Sequence, residues 1–348
     1  MATLYLIALL AAIAMALTNP AKHLEERRPA ADEAVHINPP AEQFVTLPKT
    51  GVTLCYETFG RAADPAVLFI TGLASSMMTV PAGLLDLLRP ASGPHFVVRF
   101  DNRDTGRSTA FPVPDDGSPA YALADMVDDV VGLLDSFGVP MHVVGISFGG
   151  PIAYSVAARR PNVTRSLSLL YTSPTGAGAL PEDDLPPMRQ EGVEIAEGIP
   201  IPDDLDNRDA WLTYFSDIQL KFMVEPPTEA DRGEAHQMAE IIYERGLKGG
   251  TLLTSTNHNG AATGRWPREL LAEIEVPALV VSAEEDQFFS AEHGEALAAD
   301  LSDSKFVLIP DLGHELSRRI RPTLAELLLE NFAKGEKYWQ GKSLEDRS

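Results

Sequence analysis

Cysteine is almost missing from this chain: Cys55 is the only one in 348 residues, so no disulfide can close within it. It falls in the alternating run Val52-Thr53-Leu54-Cys55-Tyr56, which predicts a buried, inert thiol on a strand. No Cys/His cluster has metal-ligand spacing, and neither a phosphate-binding glycine loop nor a dinucleotide fingerprint occurs, so no cofactor and no metal are expected. Basic residues are scarce. Lys and Arg total 28 against 50 Asp and Glu, a formal net charge of −22. Such a surface repels phosphate backbones, which excludes nucleic acid as an expected partner and favours neutral over anionic substrates.

Long apolar runs are few as well. Leu4–Leu17 is an unbroken stretch of about 14 residues, short for a membrane span but long enough for a signal-peptide core. No Lys or Arg precedes it, whereas Ala12-Ile13-Ala14 and Ala14-Met15-Ala16 offer small-x-small sites. A cytoplasmic chain and an exported or N-terminally anchored one stay equally open. No membrane partner is expected unless residues 4–17 act as that anchor. Residues 18–42, rich in Pro, Ala and charge, form a linker, so residues 1–42 stand apart from the rest.

Apolar residues make up 45% of the chain, ordinary for a protein with a proper core. Short β-branched runs predict strands near 43–47, 52–58, 66–70, 96–100, 141–145, 166–172, 276–282 and 305–310. Helical periodicity appears near 75–88, 122–137, 148–159, 290–300 and 322–334. Their alternation predicts the α/β class: an eight-stranded, mostly parallel, doubly wound sheet. It breaks after Tyr171-Thr172-Ser173-Pro174, and the following stretch is too long for a bare loop. Helical patterns at 207–223 and 228–247 make residues 175–265 a helical cap. Residues 43–174 and 266–335 are then two parts of one core, and 336–348 a C-terminal tail.

The chemistry concentrates at Gly145-Ile146-Ser147-Phe148-Gly149. A strand precedes this turn and a helix follows it, the context that makes G-x-S-x-G a nucleophile elbow. Gly145 and Gly149 let strand and helix approach closely, leaving Ser147 protruding at the helix N-terminus, where developing negative charge is favoured. A serine hydroxyl needs a base to take its proton and a carboxylate to orient that base. On this arrangement they follow in the order Ser, acid, His, each after a strand. The strand ending at Ala283 delivers Glu284-Glu285-Asp286, and the strand ending at Pro310 delivers Asp311-Leu312-Gly313-His314. Asp286, farthest past the strand end, is the expected acid, with Glu284 and Glu285 as alternatives.

His314 is the expected base. Of the other histidines, His23 and His36 lie in the polar N-terminal segment, His95 precedes a strand and His142 sits inside one. His236 and His293 fall on helices, where solvent exposure is the default. His258, in a Gly/Asn-rich loop, is the rival. An oxyanion hole needs two N–H donors. Phe148, after the nucleophile, supplies one, and Leu73, in the turn after Ala66–Ile70, the other.

With these pieces the chain resembles the α/β-hydrolase superfamily over about residues 42–334. Besides the elbow, Asp286 and Gly313-His314, it has Ile70-Thr71-Gly72-Leu73 where many members carry His-Gly. Asp101-Asn102-Arg103-Asp104-Thr105-Gly106-Arg107-Ser108 is similar to their D-x-R-G-x-G-x-S segment. Asp104 in a glycine position is similar to the branch of aclacinomycin methylesterases and related carboxylesterases. Asp101, Arg103 and Asp104 are expected to be charge-paired supports of a loop near the site.

The resemblance implies hydrolysis of a small or hydrophobic carboxylic ester through an acyl-enzyme, without cofactor. Lactonase, thioesterase, carbon–carbon bond hydrolase and acyltransferase chemistry use the same triad, and a non-catalytic ligand receptor could use the scaffold. Met77, beside the oxyanion turn, and Trp211 and Tyr214, in the cap, are candidate pocket residues. The aromatic stripe of the cap is equally what a small core would show. The oligomeric state is not legible in the sequence.

Overall fold

The computed structural model describes residues 41–90, 93–116, 118–178 and 180–342. The apolar run at 4–17 and most of the expected linker lie outside the described residues. Eight strands form one sheet: β1 (Gln43–Thr46), β2 (Thr53–Phe59), β3 (Ala66–Ile70), β4 (Phe96–Phe100), β5 (Met141–Ile146), β6 (Thr164–Leu170), β7 (Ala278–Ala283) and β8 (Ser304–Ile309). Their order is β1-β2-β4-β3-β5-β6-β7-β8. β1 and β2 pair antiparallel with each other, and β2 pairs antiparallel with β4. Every other neighbour is parallel.

The nine helices of the described residues are α1 (Ala82–Leu87), α2 (Leu123–Phe137), α3 (Gly149–Arg159), α4 (Gln190–Glu197), α5 (Arg208–Leu220), α6 (Glu229–Gly249), α7 (Asn257–Ala262), α8 (Ala291–Asp300) and α9 (Arg321–Gly341). The central strands are apolar throughout because both their faces are covered. On β3, Leu68 and Ile70 join a core with Val127 and Val130 of α2, Ile152 of α3 and Leu297 of α8. Val67 and Phe69 turn to the other face, against Leu84 of α1 and Leu324, Leu328 and Phe332 of α9.

Between β6 and β7 the chain builds α4 to α7. Asn207 caps α5 by accepting from Ala210 N–H. Thr228 and Asp231 form a reciprocal box at the start of α6, and Gly250, with φ 71°, ends it. Trp211 and Leu212 of α5 pack against Ala239 and Tyr243 of α6, giving this pair its own small core.

Several elements differ from the sequence reading. The helix expected over 75–88 is a 3-10 turn, Met77–Thr79, followed by α1, because Pro81 has no N–H to carry one helix through. The Gly- and Pro-rich stretch before residue 202 contains α4. The last helix runs to Gly341 rather than 334. Gly335 permits this: a Cβ there would come within 2.8 Å of the Arg165 carbonyl, so α9 lies directly on β6. Among the described residues no helix is long and apolar enough to cross a membrane.

Candidate active site

The end of β5 shows why the elbow needs small residues. Ser147 has φ 53°, a left-handed conformation that costs a non-glycine residue strain energy. A Cβ on Gly145 would stand 2.5 Å from the Gly149 carbonyl and 2.6 Å from the Ala153 Cβ, and one on Gly149 would collide with the Ile70 carbonyl. The strained turn is held from β6: Ser147 N–H donates to the Leu170 carbonyl (2.9 Å), and Thr172 Oγ1 donates to the Ser147 carbonyl (2.7 Å).

The loops after β7 and β8 bring Asp286 and His314 together. Asp286 Oδ2 accepts from His314 Nδ1 at 2.8 Å, while Oδ1 accepts the N–H groups of Phe288 (2.8 Å) and Phe289 (3.0 Å). The carboxylate is almost fully enclosed and the imidazole 13% exposed. Glu284 and Glu285 are exposed. Gln287, which the sequence reading passed over, accepts from His314 N–H (3.0 Å) through Oε1. The His314 ring stands edge-on to Phe288 at 4.9 Å and lies 6.0 Å from the ring of Tyr171, the residue following β6. Ser147, Asp286 and His314 thus follow the same, carboxyl ends of the parallel strands β5, β7 and β8, where ligands bind in open α/β sheets. Among the described residues neither Ser147 Oγ nor His314 Nε2 makes a hydrogen bond, and no Ser–His bond is formed. Such bonds are often long in unliganded enzymes.

The turn after β3 approaches the nucleophile closely: a Cβ on Gly72 would lie 3.1 Å from Ser147 Cβ and 3.6 Å from its Oγ. Next to it, Leu73 N–H has no acceptor among the described residues, and neither has Phe148 N–H at the start of α3. Behind the turn, Asp101 accepts from Ser76 Oγ (2.9 Å), Met77 N–H (2.8 Å) and Arg107 N–H (3.0 Å), and pairs with Arg245 of α6. Arg103 pairs with Asp129 at 2.6 Å. Asp104, at φ 62°, accepts from Phe111 N–H (2.6 Å). Asp101 and Arg103 are thus charge-paired, whereas Asp104 departs from the expected charge pairing: its carboxylate is held by uncharged donors, Phe111 N–H and the Asn257 amide. Burial, with the Asp101 charge beside it, pushes the Cys55 thiol up to about 12.

The other histidines sort by their partners. His236 is exposed. His293 is not: it is fully buried, with Nδ1 against Ser173 Oγ at 2.9 Å, because Gly294 lets α8 sit directly on Ser282 of β7. His258 lies in α7 rather than in a loop, and both of its ring nitrogens are bonded.

Of the pocket candidates, Met77 is fully buried beside Cys55 and Ile242, and Trp211 is the centre of the α5–α6 core. Tyr214 is half-buried against Trp211. A cleft of about 720 Å³ lies elsewhere, lined by Tyr121, Ser155, Arg159 and Trp266 among others, and includes none of these residues or of the triad candidates. Among the described residues no group of three His, Cys, Asp or Glu side chains could hold a metal ion.

Residues 65–317 match the alpha/beta hydrolase fold family, and the chain belongs to it. It is 26% identical to the rhodomycin D methylesterase of Streptomyces sp. (strain C5) over 303 residues, 80% of this chain and 94% of that one. It is also 26% identical to a bifunctional esterase/perhydrolase of Acinetobacter calcoaceticus, over 82% of this chain and 98% of the relative. Among solved structures, an esterase from Exiguobacterium antarcticum shares the fold with a TM-score of 0.64 at 18% identity, covering 84% of this chain and all of that one.

Proposed function

We propose that this chain hydrolyses small or hydrophobic carboxylic esters through an acyl-enzyme on Ser147. The observation that carries the reading is the pairing of an enclosed Asp286 with a partly open His314 at the same sheet end as a serine held at φ 53°. The esterase names of the full-length relatives support the ester as the bond cleaved. In this reading Asp286 fixes the tautomer that carries hydrogen on Nδ1 and stabilises the imidazolium. His314 Nε2 takes the Ser147 proton as Oγ attacks the carbonyl carbon. The Leu73 and Phe148 N–H groups receive the oxyanion. The ester C–O bond then breaks, the alcohol leaves with the proton from His314, and water activated by the same nitrogen releases the acid. Residues 175–265 act as a cap over Ser147, between the two core segments.

The test is hydrolysis of a 4-nitrophenyl ester combined with fluorophosphonate labelling. Ser147→Ala should lower kcat by about 10³-fold or more. The label should map to Ser147 and disappear in His314→Ala. A loss under tenfold in Ser147→Ala overturns the reading.

A further inference from the structure

His258 is a fully buried imidazole that the proposed chemistry leaves unused. Its Nδ1 lies 3.0 Å from the Ala74 N and its Nε2 2.7 Å from the Arg103 carbonyl oxygen. An N–H can only donate and a carbonyl can only accept, so Nδ1 is the acceptor and Nε2 carries the hydrogen. One neutral tautomer satisfies both neighbours, and neither nitrogen is left to act as a general base. Burial pushes this imidazole below its usual range, with Asp104 and Arg103 the charges nearest it.

What the ring holds is the apex of the oxyanion turn. Ala74 sits at φ 51°, a strained conformation for alanine that persists only where the surroundings impose it. The ends of the turn are tied locally: Thr71 Oγ1 donates to the Ser75 carbonyl (3.0 Å), and Ser75 N–H to the Gly72 carbonyl (3.3 Å). At the apex, the bond to His258 is the one that reaches another element among the described residues. The other bond of the ring ends on Arg103, in the loop where Asp101 also anchors Ser76 and Met77. The imidazole additionally lies 6.4 Å from the ring of Phe148. It therefore borders Phe148 and Ala74, the residue next to Leu73, and so reaches both arms of the proposed oxyanion hole.

We propose that His258 is a positioning residue for the oxyanion hole: from α7 it clamps the Ala74 N–H, and so holds the adjacent Leu73 N–H aimed at Ser147. This inference rests on the proposed roles of Ser147 and Leu73. A donor displaced by a fraction of an ångström loses most in the transition state, so the clamp acts on kcat more than on KM.

Three substitutions at this position separate positioning from packing. His258→Phe keeps the ring and loses both bonds. His258→Asn places Oδ1 where Nδ1 stood and keeps an acceptor for Ala74 N–H. His258→Gln places its amide nitrogen near Nε2 and keeps the Arg103 bond instead. Turnover is measured on a 4-nitrophenyl ester well below each melting temperature, per serine titrated by fluorophosphonate. His258→Phe should lower kcat by about 10- to 100-fold, with KM within about threefold. His258→Asn should recover to within about fivefold of the parent, while His258→Gln stays low, whatever the order of their melting temperatures. Equal losses in the Asn and Gln variants, or a kcat that merely follows stability, overturn the clamp. The Asn–Gln pair decides the matter even if the Phe variant does not fold. Activity surviving Ser147→Ala would instead sink the parent reading. An inactive Ser147→Ala beside a fully active His258→Phe would sink the clamp alone.

Discussion

Two histidine–carboxylate pairs stand at opposite ends of the same sheet, and they are built inside out with respect to each other. His314 meets Asp286 at 2.8 Å; there the carboxylate is enclosed and the imidazole partly open. His142, at the start of β5, meets Glu336 of α9 at 3.1 Å; there the imidazole is fully enclosed and the carboxylate 25% exposed. The second ring nitrogen of His142 is bonded to Ser166 Oγ at 2.8 Å, and its ring stacks on Phe332 at 4.6 Å. The Nε2 of His314 has no partner among the described residues. A carboxylate beside an imidazole is therefore no sign of chemistry by itself. On the proposed reading, the buried acid makes His314 a directed base, whereas a buried histidine with both nitrogens engaged is a strut.

The sharpest way to break this contrast is Asp286→Asn. The amide oxygen can still accept the Phe288 and Phe289 N–H groups, so the loop should keep its shape. Its NH₂ would face His314 Nδ1 and select the wrong tautomer. A kcat loss of about 10⁴-fold with little change in melting temperature is expected in ester hydrolysis and thermal melts. Retention of kcat within tenfold would hand the acid role to another group, such as Glu284 or Glu285.

The meeting of Asp286 and His314 was legible because the order expected of a triad and the strand ends limit the candidates to a few positions. The strand pattern was legible for the same kind of reason: continuous apolar runs such as Ala66–Ile70 have no other stable place than a sheet covered on both faces. What stayed hidden depends on partners distant in the chain. His293 reads as a solvated helical residue, and only the close seating of Gly294 on Ser282 buries it. His258, amid Asn and Gly, reads as a loop residue until Ala74 and Arg103 arrive from other segments. Trp211 and Tyr214 carry a spacing that serves a small helical core and a binding wall alike, and the fold puts Trp211 inside the core between α5 and α6. Pro81 was visible all along, and its missing N–H is what divides the helix expected over 75–88.

The strut predicts a pH effect where the dyad predicts a rate. Burial holds His142 down at about 4, against 6.5 for a free imidazole. Burial alone would raise Glu336, but hydrogen bonds from His142 and Arg165, with their charges, outweigh it and keep the group at about 2. As pH falls below 6.5, the unfolded His142 binds a proton that the folded one refuses until about 4. Its contribution, of order 3 kcal/mol, is present above that window and lost through it. The share of Glu336 is present above about 4.5 and lost only as pH falls towards 2. His142→Phe should flatten the fall in melting temperature between pH 6.5 and 4 while leaving kcat within about twofold. A steep kcat loss in that variant would erase the distinction between strut and base.

The smallest expected effect tests how a partly open histidine is kept in place at all. His142 is fixed through both nitrogens and a stacked ring, whereas His314 must leave Nε2 free. Its restraints include the Asp286 bond, the edge of Phe288, the ring of Tyr171 and the hook from its own N–H to Gln287 Oε1. Gln287, in the loop after β7, is itself buried, and its amide nitrogen reaches the Phe222 carbonyl at 3.4 Å, tying that loop to the segment between α5 and α6. Gln287→Ala removes the hook without touching the carboxylate, so the imidazole should keep its tautomer and lose some of its aim. About a tenfold lower kcat at nearly unchanged KM is expected from steady-state kinetics, since misplacement acts on the proton transfer rather than on substrate binding. A kcat within twofold of the parent would mean that the Asp286 bond alone orients the ring, and the asymmetry between the two pairs would then lie in the carboxylates only.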